Sequence, residues 1–352
     1  MMLPRERVLA AIAHQRTDRA PTDYWAHDGV TQALIARLGV ADEEALLQAL
    51  EVDLRPIRFS YYLPDTGPDE AGYMTNMWGV KVHPGKPVGD PTRVIYPFTE
   101  ESTVDDVYNH PWPRAEQLDY SQILPQCQRY HDTYAVRGAP WSPFFHEVGW
   151  IIGQENYFMW MHTRPELVEA IIDCVVSFEL EVTRRFFEAA QGLVDIAFFG
   201  NDFGTQRGLV ISPAMFQRFF RRPLKRYFDL ARDFGCKVMK HSCGSVRAII
   251  PWWIEDGVDI LDPVQVLAEG MDFAGLVRDF GDRLTLHGGI DTQQLLPYGS
   301  PEDVRATVRA YRALTRERGG YILLGSQEFI EDVPLENILA LYDENIRLGK
   351  AG

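Results

Sequence analysis

The run Leu193-Val-Asp-Ile-Ala-Phe-Phe199, followed after a polar loop by Ser212-Pro213 and a helical pattern, decides the fold. The almost wholly apolar run predicts a buried strand, and serine before proline is a helix-start signal. The same order of strand, loop and helix recurs along the rest of the chain, which is typical of a parallel sheet covered on both faces. The predicted strands of this half are residues 193–199, 237–240, 258–261, 284–287 and 320–324. The helices predicted to follow them are residues 213–234, 245–256, 272–280, 300–318 and 334–348.

The first half of the chain supplies three further predicted strands, which are residues 21–25, 54–61 and 141–147. A predicted N-terminal helix precedes the first of them, and residues 165–190 form a helix after the third. Eight strand-and-helix units predict an α/β protein of the (β/α)8 TIM-barrel class, in one domain that spans residues 1–352. The Gly- and Pro-rich residues 72–99 are interpreted as an excursion over one mouth of the barrel. A doubly wound open sheet is the alternative, but the sequence contains neither G-x-G-x-x-G nor G-x-x-x-x-G-K-[ST].

Composition excludes several classes of function. The 352 residues carry 35 Lys+Arg against 50 Asp+Glu, a formal net charge of -15, which would repel nucleic acid and anionic membranes. Four irregularly spaced cysteines in a chain of this length indicate free thiols and a reducing compartment. No apolar run approaches the roughly 18 residues of a membrane helix. The sequence therefore predicts a cytoplasmic protein without a membrane or nucleic-acid partner, and a homo-oligomer is compatible with it.

Candidate functional residues lie where the predicted strands end, because barrel active sites form at the carboxyl ends of the strands. The sharpest local signal is His241-Ser-Cys243-Gly244, since imidazole nitrogen and thiolate sulfur are both good zinc ligands. A packed cysteine beside a hydrogen-bonded histidine is the structural alternative. Asp202 follows the strongest strand and is either functional or a helix cap. The candidate catalytic residues are Asp202, His146 and Glu147, and the candidate substrate-binding residues are Trp25, His27, Asn201, Gln206, Gln265, His287 and Asp291.

Several motifs in order resemble the uroporphyrinogen decarboxylase superfamily. They are Asp202-Phe-Gly-Thr-Gln206, Ile211-Ser-Pro213, Lys240-His-Ser-Cys-Gly-Ser245, Pro263-Val-Gln265, Gly270-Met-Asp272, Gly288-Gly-Ile-Asp291 and Pro334-Leu-Glu-Asn-Ile338. The resemblance implies a (β/α)8 barrel. True uroporphyrinogen decarboxylases carry an arginine-rich motif near the first strand, where this chain has Asp23-Tyr-Trp-Ala-His-Asp28 instead. That departure argues against a tetrapyrrole polyacid, whose carboxylates need cationic partners.

The cobalamin-linked methyltransferase branch of the superfamily is the nearer resemblance. It implies zinc held by H-x-C, matched here by His241 and Cys243, and by a distant cysteine in the last strand's loop. That loop reads Gly325-Ser-Gln-Glu-Phe329, so the third cysteine is missing. Glu328, with Gln327 adjacent, is the predicted substitute ligand, and Asp202 is a further candidate. The missing cysteine argues against methylation of a thiol.

The leading hypothesis is therefore a zinc-dependent methyltransferase, acting as a demethylase of an aryl or otherwise apolar small molecule. It would move a methyl group between that molecule and a corrinoid carried by a partner protein, with zinc polarising the heteroatom. The first alternative is a decarboxylase of a smaller carboxylated substrate, for which Arg207 is the candidate cationic anchor. The second is a ligand-binding barrel that has lost catalysis.

Overall fold

The computed structural model describes residues 2–351 and contains a seven-stranded sheet in which every neighbouring pair of strands is parallel. Its strands, in spatial order, are β1 Leu54–Pro56, β5 Ala135–Gly138, β6 Ile196–Gly200, β7 Lys237–His241, β8 Ile260–Val264, β9 Thr285–Gly288 and β10 Tyr321–Ile322. A second, antiparallel sheet contains β2 Met74–Thr75, β3 Lys81–Val82 and β4 Val94–Ile95. The spatial order of the large sheet follows the chain order, as consecutive strand-and-helix units require.

Residues 21–23 close the large sheet into a barrel. The amide of Asp53 donates to the carbonyl of Thr22 at 2.9 Å, and the amide of Leu323 donates to the carbonyl of Pro21 at 2.8 Å. Thr22 also forms a parallel bridge with Leu323. This segment therefore takes the eighth position between the first and last strands of the sheet, and the TIM-barrel prediction is confirmed.

The helices cover the outside of the barrel and, in one case, its lower end. Their bounds are α1 Pro4–Ile12, α2 Asp28–Leu38, α3 Glu43–Ala49, α4 Val104–Tyr108, α5 Ile123–Tyr130, α6 Phe144–Ile152, α7 Gln154–Thr163, α8 Pro165–Ala190, α9 Pro213–Phe216, α10 Arg222–Asp233, α11 Ile250–Asp256, α12 Phe273–Phe280, α13 Leu295–Tyr298, α14 Pro301–Thr315 and α15 Leu335–Ala351. A π-helical turn, Gln217–Arg221, joins α9 to α10. None of the helices in the described range is long and apolar enough to span a bilayer.

The bore of the barrel has an apolar layer and a polar layer, one above the other. The apolar layer contains Leu54, Ala135, Ile196, Met239, Ile260 and Ile322, packed against Val8 and Ile12 of α1. Residues two positions further along a strand point to the same side. In β5, β7 and β8 those residues are Arg137, His241 and Asp262, all buried. Strand register thus stacks charged side chains directly above the apolar layer.

One of the predicted strands is wrong. The third strand is Ala135–Gly138, whereas most of the predicted 141–147 strand lies in helix Phe144–Ile152. The run Phe-Phe-His-Glu-Val-Gly-Trp-Ile-Ile is mostly apolar and nearly all buried, so it shows no clear period that separates a strand from a buried helix. The Gly- and Pro-rich excursion forms the small antiparallel sheet, whose Trp78 packs edge-on against Phe178 of α8.

Candidate metal centre

Strand register brings three predicted functional residues together at the carboxyl ends of β6 and β7, next to Asp262 of β8. Gly200 is paired with His241, and His241 is paired with Asp262. Asp202 follows β6 by two residues and Cys243 follows β7 by two residues. One ligand atom each from Asp202, His241 and Cys243 lies within 4.8 Å of the other two. These three residues are called the metal centre below.

Two glycines allow the loops that carry Asp202 and Cys243 to touch. A Cβ at Gly204 would lie 2.4 Å from the carbonyl oxygen of Cys243, so the close approach needs a residue without a side chain. Gly244 has a φ of +77° and faces the backbone of Gly204 in the same way. As a result, Oδ1 of Asp202 accepts the amide of Cys243 at 2.8 Å.

Two of the distances within the metal centre match those between ligands of one tetrahedral ion. Nε2 of His241 lies 3.4 Å from Sγ of Cys243 and 3.4 Å from Oδ1 of Asp202. Two ligands held about 2.0–2.3 Å from a tetrahedral zinc ion are roughly 3.3–3.6 Å apart. An imidazole nitrogen, a thiolate and a carboxylate are moreover the ligand types that zinc takes in proteins. The residues present therefore fit a zinc ion.

A buried chain of charges fixes the orientation of His241. Its Nδ1 donates to Oδ2 of Asp262 at 2.6 Å, and the other oxygen of Asp262 accepts from Nδ1 of His287 at 2.5 Å. Nε2 of His287 lies 3.1 Å from Asp23, which also pairs with Arg137 at 3.1 Å. The two cationic groups Arg137 and His287 thus alternate with the carboxylates of Asp23 and Asp262. A carboxylate on one nitrogen of a histidine leaves the other nitrogen directed at a metal.

The pKa values in this chain follow from those contacts. Burial raises the pKa of Asp262, but the charge of His287 and the hydrogen bonds of both histidines outweigh it and hold that pKa far below its usual range. Burial lowers the pKa of His287, yet Asp262 and Asp23 raise it above its usual value. The pKa of His241 is likewise raised, against burial, by hydrogen bonds with Asp202 and Asp262. His287, with a carboxylate on each nitrogen, is an imidazolium.

Two glutamines and two tryptophans surround the metal centre. The side-chain amide of Gln327 donates to Sγ of Cys243 at 2.8 Å, and the carboxamide oxygen of Gln265 accepts the amide of Gly244 at 2.6 Å. The rings of Trp141 and Trp25 lie 4.9 Å and 6.1 Å from the His241 ring, centroid to centroid. Lys240 is buried behind the strand, and burial lowers its pKa to about 7.

Other predicted site residues lie further from the ligand atoms. His146 accepts the amide of Asp202 on Nε2 at 3.1 Å, and burial lowers its pKa. Asn201 is buried and ties Phe145 to Ser142. Asp291 accepts three amides at the start of α13.

The remaining candidates face outward or into a different part of the molecule. Glu328 lies 3.4 Å from the exposed His27, and His27 is also paired with Glu331. Gln206 and Arg207 are exposed in the loop after β6. Glu147 points away from the metal centre and is bonded to Tyr61 and Tyr62.

Sequence reasoning placed Asp202, His241 and Cys243 at strand ends but missed two members of the charge chain. Asp23 was noted only for its place in the motif at residues 23–28, and Arg137 was not considered. Arg137 follows Ala135 by two residues, so a correct third strand would have put it on the bore side beside the others. Because the third strand was predicted at the wrong residues, the position of Arg137 in the bore could not be predicted.

A scan against protein-family models matches residues 77–346 to the family described as "Uroporphyrinogen decarboxylase (URO-D)". The chain therefore belongs to the uroporphyrinogen decarboxylase family. Among curated proteins it is 27% identical, over 162 residues, to the methylated-thiol--coenzyme M methyltransferase of Methanosarcina mazei. That alignment covers 46% of this chain and 40% of the relative's length. Among solved structures, a methyltransferase from Methanosarcina mazei superposes with a TM-score of 0.64 over 99% of both chains at 16% identity, which supports the fold.

Proposed function

We propose that the protein is a zinc-dependent methyltransferase that moves a methyl group between a heteroatom of a small molecule and a corrinoid held by a partner protein. The observation that carries the proposal is the metal centre, whose imidazole, thiolate and carboxylate atoms have the spacing of ligands to one ion. Similarity to a methyltransferase over part of the chain supports methyl transfer as the reaction. The corrinoid partner is inferred from the family branch that the H-x-C motif resembles.

His241, Cys243 and Asp202 would hold the ion, with Asp202 in the place that the sequence assigned to Glu328. The bound ion would act as a Lewis acid that stabilises the anionic form of the heteroatom. Asp262 holds the imidazole so that Nε2 faces Cys243 and Asp202. Gln327 donates to Sγ of Cys243, and this hydrogen bond would stabilise the thiolate form in which a cysteine binds zinc.

The substrate would bind beside Trp25 and Trp141, whose rings flank His241. Aromatic walls exclude water and suit an aryl or other apolar methylated compound. Burial lowers the pKa of His146, and its Nε2 already accepts the amide of Asp202, so the proton on Nδ1 is the one that His146 could donate near the substrate. No observation favours the decarboxylase alternative over methyl transfer, since the described residues place Arg207 in an exposed loop and pair the buried Arg137 with Asp23.

The test combines metal content with methyl transfer. Wild-type protein, rinsed with chelator, is expected to retain about one zinc per chain, and His241→Ala, Cys243→Ser and Asp202→Asn are each expected to lose it. Cys174→Ser, at a thiol on α8 outside the metal centre, is the matched control and should keep its zinc. Methyl transfer is measured from a panel of aryl and alkyl methyl ethers to free cob(I)alamin by its visible spectrum. Zinc-free wild type, or zinc retained equally by all three variants, would overturn the proposal.

A further inference from the structure

A cavity lies between the small antiparallel sheet and helix α6, and none of its lining residues belongs to the metal centre. Its volume is about 270 Å³, close to the roughly 300 Å³ at which the range for small-molecule binding sites begins. Glu147 and Asp65 supply its acidic groups, and no lysine, arginine or histidine lines it. The cavity is called the Glu147 cavity below.

Glu147 is fully buried and has one oxygen that is satisfied and one that is not. Oε1 accepts from the hydroxyl of Tyr62 at 2.7 Å and from that of Tyr61 at 3.2 Å. Oε2 is buried and has no hydrogen-bond partner among the described residues. The indole N–H of Trp78, beside this carboxyl group, also lacks a partner within hydrogen-bond geometry, and burial raises the pKa of Glu147 despite that neighbour. Burying a carboxyl oxygen without a hydrogen-bond partner costs folding free energy, and a bound ligand that interacts with the oxygen would offset this cost.

Aromatic rings form the walls around this carboxyl group. Trp78 is held rigidly by edge-on contacts with Trp112 and Phe178 at centroid distances of 6.2 Å and 5.4 Å. Tyr62 and Trp150 are 45% and 56% exposed, so two large rings stand in solvent at the same cavity. Exposed aromatic side chains grouped at one opening mark a recognition surface. The thioether side chains of Met74 and Met77 add polarisable apolar surface.

We propose that the Glu147 cavity binds a small organic ammonium ion, with the aromatic side chains of the lining beside the cation and Glu147 as its counter-charge. Tryptophan and tyrosine faces attract cations, and walls of this kind recognise quaternary ammonium groups. A metal ion fits less well because most of the lining is apolar. An anionic ligand would meet two carboxyl groups and no basic side chain. The proposal does not depend on zinc or on methyl transfer.

The test is calorimetric titration of the whole protein with choline and with its uncharged carbon isostere, 3,3-dimethylbutan-1-ol. Choline is expected to bind saturably, and the isostere at least about tenfold more weakly, since only the cation gains from the rings and the carboxylate. Glu147→Gln is expected to weaken choline binding about tenfold, while Glu155→Gln, at an exposed glutamate of α7, should leave it unchanged. Trp150→Ala, at an exposed position that folding does not require, should weaken it several-fold and serves if Glu147→Gln does not fold.

Cys243→Ser separates this site from the metal centre, because choline affinity is expected to stay at the wild-type value in that variant. The proposal is overturned if choline does not bind, if the isostere binds equally well, or if affinity falls in Cys243→Ser and not in Glu147→Gln. Loss of zinc with unchanged choline binding would concern only the metal centre.

Discussion

Helix α6 stands between two groups of carboxyl side chains, one paired with histidines and one with tyrosine hydroxyls. On one side His146 contacts Asp202 of the metal centre, and the carboxylates there are paired with histidines. On the other side the side chain of Glu147 accepts hydrogen bonds from tyrosine hydroxyls, among them that of Tyr62. The nearby buried side chain of Glu179 likewise accepts from the hydroxyl of Tyr227. The histidine-paired carboxyls have lowered pKa values, whereas burial raises the pKa of Glu147 and of Glu179. Burial alone therefore does not set the charge of a carboxyl group, since a cationic partner reverses its effect.

The largest expected effect is that of Asp262→Asn. This change leaves two buried histidines without their charged acceptor, and loss of one partner from a buried ion pair costs about 3–5 kcal/mol. Urea unfolding of metal-free protein measures it, with Asp343→Asn at an exposed position of α15 as the control. A loss below about 0.5 kcal/mol, the usual limit for a surface change, would contradict the charge chain described above.

The contrast between the two groups also predicts opposite responses to pH. Glu179 has a folded-state pKa well above 4.5, so the folded state holds a proton that the unfolded state releases, and stability falls as the pH rises above about 4.5. The slope from this group reaches at most about 1.4 kcal/mol per pH unit. Asp262 has a lowered pKa, so its contribution is lost instead as the pH falls below 3.8.

Replacing Glu179 with glutamine is expected to flatten the decline above pH 4.5, because the amide is neutral at every pH and its oxygen still accepts from Tyr227. Urea unfolding at a series of pH values from 4 to about 8 measures this. Glu188→Gln, at an exposed position of the same helix, should keep the wild-type profile. An unchanged slope in Glu179→Gln would show that the buried glutamate is ionised in the folded protein.

A smaller expected effect is a difference in zinc affinity between substitutions at two adjacent residues, Gln327 and Glu328. Gln327→Ala removes the donor to Sγ of Cys243 and is expected to reduce zinc affinity about tenfold, the lower limit for residues that support metal ligands. Glu328→Ala is expected to leave that affinity unchanged, because its carboxylate faces His27. Competition with a chromophoric chelator gives both values. The reverse ranking would restore Glu328 as the third ligand.

The smallest expected effect concerns Tyr62, whose hydroxyl donates to Glu147. Tyr62→Phe removes one neutral donor from Glu147 and is expected to cost about 1 kcal/mol of unfolding free energy. Tyr108→Phe, whose ring is 57% exposed, is the control for loss of a phenolic hydroxyl. Both are compared by urea unfolding at one pH. Equal stability of the two variants would mean that the Tyr62 bond contributes nothing measurable.

Much of the barrel was predictable because most strands of the second half are rich in apolar residues and several are followed by a strong helix start. Asp272 and Ser300 accept amides at the first turns of α12 and α14, as N-cap residues do. Such signals are local, so they can be recognised without knowing the fold. The third strand failed because Ala135–Gly138 is short and contains a buried arginine, while the adjacent apolar run forms a helix.

The metal centre was predictable only as a set of strand ends. His241 and Cys243 are two residues apart, and their joint direction follows from strand geometry. Asp202 joins them through the close contact of Gly204 and Gly244, which depends on the packing of two loops. The sequence alone does not show which of Gln327 and Glu328 lies beside Cys243, because the directions of adjacent side chains in a loop follow no regular alternation. The arrangement of Tyr61, Tyr62, Trp78 and Glu147 likewise requires tertiary contacts between distant segments.

The barrel is closed by residues from opposite ends of the chain, since Pro21 and Thr22 are bonded to Asp53 and Leu323. During synthesis the ribosome releases residue 323 long after residue 22. Until then the growing sheet exposes two unpaired edges, which favour association with other chains. Gln327 emerges later still, so the environment of Cys243 is completed only after the last strand has been made. Cellular production of active protein should therefore depend on protection of the nascent chain more than on the intrinsic speed of helix formation.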